Sequence, residues 1–159
     1  MTYRETLIAC AQIAAVFAGF GGLAGLAAQR LTGSAAVLAA ARLRAVIEWA
    51  LIVVAYSLVP LVVFEFETDQ TGTWRVLSAA LALSAVAHRL WVGPKLHDLP
   101  WGSRSYRAFT YLWLFGTALV LLANTLGVLA PAVAVYLCGL LSYLLFAMLL
   151  FARLLQSLV

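Results

Sequence analysis

Residues 108–152 read AFTYLWLFGTALVLLANTLGVLAPAVAVYLCGLLSYLLFAMLLFA, 45 consecutive positions without Asp, Glu, Lys or Arg. As one helix this stretch would be about 67 Å long, more than twice the roughly 30 Å hydrocarbon core of a bilayer. It must therefore fold back on itself, and Asn124-Thr-Leu-Gly127-Val-Leu-Ala-Pro131 supplies the turn. Glycine at 127 suits the left-handed position just past a helix end, and proline at 131 suits the first turn of the next helix. The stretch thus holds two spans, 108–126 and 131–152.

Three further spans precede them. Leu7 to Ala28 is a charge-free run of 22 residues, long enough for one crossing. A second span covers 45–64 and continues backward through an Ala-rich helical lead-in to Ser34, a suitable N-cap, so this helix is expected to protrude from the bilayer. Pro60 lies one turn before its far end, where the carbonyl it frees needs another donor. The third span, 74–92, has arginines near both ends, Arg75 and Arg89, and crosses only if both snorkel toward water. The expected fold is all-α: one polytopic transmembrane helical bundle of five helices occupying residues 1–159.

Composition points the same way, because 65% hydrophobic residues, 10% charged residues and a mean hydropathy of +1.04 do not suit an ordinary soluble domain. The formal net charge of +4 does not indicate a nucleic-acid partner, since the basic residues border apolar runs and form no stripe on a polar face. The lipid bilayer is the expected environment. With five crossings, Arg30, Arg42, Arg44, Arg89, Lys95, Arg104, Arg107 and Arg153 share one side, and Arg4 and Arg75 lie on the other beside Glu5, Glu65, Glu67 and Asp69. The positive-inside rule then puts the N-terminus outside and the C-terminus in the cytoplasm. Trp74 on the outer side and Trp91 and Trp101 on the inner side suit interfacial positions. A cleaved signal peptide ending near Gly25-Leu26-Ala27 is the disfavoured alternative, because the apolar run is too long and Glu5 balances Arg4.

Small residues crowd the first helix: Ala14, Ala15, Ala18, Gly19, Gly21, Gly22, Ala24 and Gly25, with a GxxxG from Gly21 to Gly25. Removing bulk lets backbones approach closely and so predicts a helix contact, either within the chain, the favoured reading, or between protomers. Gly19-x-Gly21-x-x-Ala24 imitates a dinucleotide fingerprint but follows no strand, so no nucleotide is expected.

Ionisable residues inside spans are rarer. Glu48 lies 16 residues from Phe64 and Arg89 lies 15 from Trp74, which puts both about 22 to 24 Å from the outer boundary. With Arg44 one turn from Glu48, and His88 beside Arg89, these four residues and Arg42 are expected to form a polar cluster near the cytoplasmic leaflet. An ion pair fastening the second helix to the third is the favoured reading, and a solute or proton pathway the sharper one. Gln12 and Asn124 fall in the outer half, where amides commonly bond across helices. The alternative is a hydrated vestibule lined with Ser57, Thr117 or Tyr136.

Cys10 and Cys138 count to similar depths, which leaves a disulfide open, but no CxxC pair suggests redox work. His88, His97 and Asp98 do not make a metal set, and Glu65-Phe-Glu67-Thr-Asp69 lacks the ligand count of a calcium loop. No cofactor or metal is expected. The absence of a Ser/His/Asp set, Walker loop or HExxH weighs against the commoner enzyme chemistries. The loop from Gly93 to Ser105, with Pro94, Pro100 and Gly102, reads as a structured connection.

Glu5-Thr-Leu7, Val16-Phe-Ala-Gly-Phe-Gly-Gly-Leu23, Arg42-Leu-Arg44 and Phe151-Ala-Arg153-Leu-Leu155 together resemble small bacterial multi-spanning inner-membrane proteins. The resemblance implies a bacterial inner-membrane location and carries no activity or functional residue. The expected function is that of a non-enzymatic membrane protein that self-associates through its small-residue helix and serves as a channel or transport component for ions or small solutes. The alternative is an accessory or assembly subunit of a larger membrane complex.

Overall fold

The computed structural model describes residues 2–30, 32–66, 69–92 and 104–156, and among them it is all-helical, with no strand. Five helices follow in order: α1 Tyr3–Ala28, α2 Gly33–Val63, α3 Gln70–Val92, α4 Arg104–Thr125 and α5 Ala132–Gln156. Four of them, all but α3, are long and apolar enough to cross a membrane, which fits a helical membrane protein. The exception has a compositional cause, since α3 carries Gln70, Thr71, Thr73, Arg75, Ser78, Ser84, His88 and Arg89.

The helix ends follow from local chemistry. Thr2 and Glu5 open α1 with a capping box: the Glu5 amide donates to Thr2 Oγ1 at 3.3 Å and the Thr2 amide to Glu5 Oε2 at 2.8 Å. Asp69 opens α3, its Oδ1 accepting from the Gly72 amide at 3.1 Å. Helix α2 begins one residue before the expected Ser34 cap. Thr32 stands in the cap position without a side-chain bond, and Gly33 takes φ +64°. At the other end of the fold, Gly127 takes φ +74°, its amide donates to the Asn124 carbonyl and the Val128 amide reaches the Ala123 carbonyl. That pair of bonds is a Schellman closure, and it satisfies two carbonyls that the end of α4 would otherwise leave free.

Helix α5 is the axis of the bundle. All four other helices pack against it, with the α1–α2 and α3–α4 hairpins contributing the two most extensive neighbouring contacts outside it. Tyr136, Gly139, Leu140, Tyr143, Leu144, Phe146, Ala147, Leu150 and Leu154 are its buried positions. A helix that is apolar on every face suits such a central place. On α3 the buried residues Trp74, Leu77, Ser78, Leu81, Ala82 and Ala85 form one stripe at helical spacing. Trp74 is buried within the bundle, wedged among Tyr3, Phe64 and Tyr136 at ring separations of 5.6, 4.7 and 5.1 Å. Trp91 is exposed, whereas Glu67, Lys95, His97, Asp98, Trp101 and most of the Gly93–Ser105 loop lie outside the described residues.

Pro60 sits inside α2 and is buried. Its ring nitrogen cannot donate, so the carbonyl four residues earlier, on Tyr56, loses its helical partner. The hydroxyl of Tyr136 on α5 donates to that carbonyl, and the Tyr56 hydroxyl donates onward to the Ala80 carbonyl of α3 at 2.9 Å. One proline thus creates the acceptor that ties α2 to α5, while its Tyr56 neighbour ties α2 to α3.

Candidate functional site

Glu48 stands on the buried-side flank of α2 between two donors. Arg44, one turn earlier, places Nε 2.6 Å from Glu48 Oε1, and His88 of α3 places Nε2 2.8 Å from Oε2. The i, i+4 spacing brings Arg44 to the carboxylate within one helix, while the antiparallel course of α3 brings His88 from the other. His88 extends the inward stripe of α3 by one more turn beyond Ala85. Its ring meets Trp49 edge-on at 5.0 Å, and Trp49 meets Tyr143 and Phe146 of α5 at 5.4 and 5.3 Å. Two polar atoms in this region are buried without a partner, Nδ1 of His88 and the hydroxyl of Tyr143.

Of the five residues expected to cluster, Arg44, Glu48 and His88 meet, and Arg89 and Arg42 do not. Arg89 does not join them, because one helical residue is a rotation of about 100°, and its guanidinium lies over the Tyr111 ring of α4 at 4.3 Å. Arg42 also points elsewhere and donates to the Arg153 carbonyl at 3.2 Å, while the Arg153 guanidinium covers the Tyr106 ring at 4.8 Å. At the opposite end of the bundle, Arg4 pairs with Glu65 at 2.9 Å in an exposed bridge.

Gln12 and Asn124 are not brought together. Gln12 is exposed on α1, whereas Asn124 is fully buried and donates to Ser78 Oγ at 2.8 Å and to the Ala132 carbonyl at 3.0 Å. The vestibule candidates are likewise bonded within the bundle. Ser57 donates to the Val53 carbonyl, Thr117 shares a bond with Ser142 at 2.8 Å, and Tyr136 is bound to Tyr56. The Thr117 and Tyr136 bonds join helices, whereas that of Ser57 stays within α2.

The four glycines divide in pairs. A methyl group at Gly25 would stand 2.6 Å from Leu43 Cδ2, and at Gly21 3.4 Å from Leu43 Cδ1, so this GxxxG pair seats α1 on α2. Gly19 and Gly22 have open space where a side chain would stand, and with exposed Ala15 they form an outward stripe. Cys10 is buried, Cys138 is exposed, and both are free thiols, which removes the disulfide alternative.

Sequence reading missed Trp49, Tyr143, Ser78, Ser142 and Trp113. The indole of Trp113 donates to Ser142 Oγ at 2.8 Å, a second polar tie between α4 and α5. Polar residues in otherwise apolar helices were the available signal for the two serines. No family model, curated protein or solved structure matches the chain.

Proposed function

We propose that the protein is a non-enzymatic component of a bacterial inner membrane that self-associates through the outer face of α1 and contributes to passage of ions or small solutes. The observation that carries this reading is the division of the glycines: Gly21 and Gly25 are used against α2, while Gly19 and Gly22 remain open on an exposed face with Ala15. Small residues on a lipid-facing helix serve close backbone approach, which a second copy of the same stripe satisfies symmetrically. In this reading α3 also crosses, with the N-terminus outside. Its two ends reach the same bundle ends as α2, Trp74 beside Phe64 and His88 beside Glu48, and the basic groups gather at the Arg42, Arg44 and Arg153 end. In this reading the solute route runs between protomers, along the face that self-association brings together.

The test is stoichiometry in lipid, read by single-molecule photobleaching of the reconstituted protein and of Gly19→Leu/Gly22→Leu. Oligomers that fall to monomers in the double variant, with flux lost in parallel, support the proposal. A monomeric wild type rejects it, and recovery of the chain bound through α1 to a different membrane polypeptide favours the accessory-subunit alternative.

A further inference from the structure

The Arg44–Glu48–His88 group differs from a closed structural ion pair in one respect. A carboxylate offers only acceptors, so the imidazole nitrogen facing Glu48 Oε2, Nε2, is the one that carries hydrogen. In the neutral ring the other nitrogen then presents a bare lone pair, and Nδ1 is buried with no donor to meet it. Burial of an unanswered polar atom costs free energy, and that cost is not explained by fastening α2 to α3, which Nε2 already does. Side-chain exposure falls stepwise from 64% at Arg44 to 25% at Glu48 and 17% at His88, so the group is open at its Arg44 end.

We propose that Glu48 and His88 form a reversible proton-binding site, with Nδ1 of His88 as the vacant position. The lone pair of Nδ1 forms an N–H bond with a proton supplied by water, and the Nε2–H···Oε2 bond is retained. One O–H bond of the hydrated proton breaks as the N–H bond forms, a water molecule is released, and Arg44, Glu48 and His88 together go from neutral to singly positive. The Glu48 carboxylate supplies the compensating charge at Nε2, and the Trp49 ring packs edge-on with the imidazole at 5.0 Å. Among the elements packed against α3, the ionisable groups facing this region are Arg44 and Glu48 from α2, Tyr143 from α5, and Tyr111 from α4, the last engaged by Arg89. Arg89 is thereby held over an aromatic ring at 4.3 Å and pairs with neither Glu48 nor another described carboxylate. Proton uptake turns the His88–Glu48 hydrogen bond, so far charged on one side only, into an ion pair between α2 and α3, which touch sparsely elsewhere. An ionisable pair at membrane depth is a recurrent element of proton paths, and histidine is the side chain that changes charge near neutral pH. The inference does not depend on self-association through α1.

The experiment uses the full chain in lipid nanodiscs with His97→Gln, which leaves His88 as the single histidine of the two in the sequence, and nitrogen-15 labelling of the ring. Nδ1 and Nε2 are followed by NMR from about pH 5 to about pH 9. The expected result is one reversible transition in which Nδ1 passes from unprotonated to protonated while Nε2 stays protonated. In Glu48→Gln the Nε2–H resonance is expected to move upfield, because its acceptor is no longer a carboxylate. A ring that stays neutral, or stays cationic, over the whole range overturns the proposal without any change to the cluster itself. An unmoved Nε2–H resonance in a folded Glu48→Gln protein overturns the role of Glu48.

Discussion

The Tyr136 hydroxyl of α5 donates to the Tyr56 carbonyl that Pro60 leaves without its helical N–H. A helix break in one element and a buried phenol in another, 80 residues apart in sequence, are therefore parts of one interaction. Tyr136→Phe is expected to destabilise the bundle by about 1 kcal/mol, the scale of an interhelical hydrogen bond in lipid. Pro60→Ala restores an amide donor to the same carbonyl, so Tyr136→Phe should cost measurably less in that background. A double-mutant cycle of reversible unfolding in bicelles checks this, and equal costs in both backgrounds would contradict it.

Asn124 is the polar joint among α3, α4 and the start of α5. Asn124→Ala removes the bonds to Ser78 and to the Ala132 carbonyl together, and about 1–2 kcal/mol of stability should go with them. Ser78→Ala removes only one of the two and should cost less, a ranking that the same unfolding assay resolves.

Gly127 is constrained twice over. Its φ of +74° disfavours any side chain, and the Arg75 guanidinium lies 2.9 to 3.2 Å from where a Cβ would stand. Gly127→Ala is therefore expected to cost about 1 kcal/mol or more. Adding Arg75→Ala should recover only the steric share and leave the backbone share in place, as measured by thermal unfolding of the three variants.

Gly139 and Gly22 make a matched contrast. A methyl at Gly139 would meet Leu121 Cδ2, Cγ and Cδ1 at 2.6, 2.9 and 3.0 Å in the core, while one at Gly22 meets nothing within 4 Å. Gly139→Ala should destabilise by about 1–3 kcal/mol through overpacking, with relief from Leu121→Ala. Gly22→Ala should leave folding unchanged, and any effect it has should appear in association between copies.

The helical class, the fold-back between α4 and α5, and the glycine that closes α4 were legible in the sequence because each depends on local chemistry. A 45-residue uncharged run exceeds one bilayer, and Gly127 followed by Pro131 is a local stop and start. The gathering of positive residues at alternate loops was equally readable. Glu48 and Arg44 were legible as a pair for the same reason, their spacing of one helical turn.

Facing directions were a different matter. In water, an apolar stripe marks the buried side of a helix, but lipid is as apolar as a protein core and leaves no such contrast. Only the tertiary structure placed α5 at the axis, turned Gly21 and Gly25 inward and Gly19 and Gly22 outward, and buried Trp74. It also chose between neighbours, giving Glu48 to His88 and sending Arg89, about 100° around α3, to Tyr111. The sequence by itself determined which segments are helices and which residues are polar within them. The packing of α3 and α5 against α2 decided which of those polar residues meet, because rotation of a helix about its own axis is set by its neighbours.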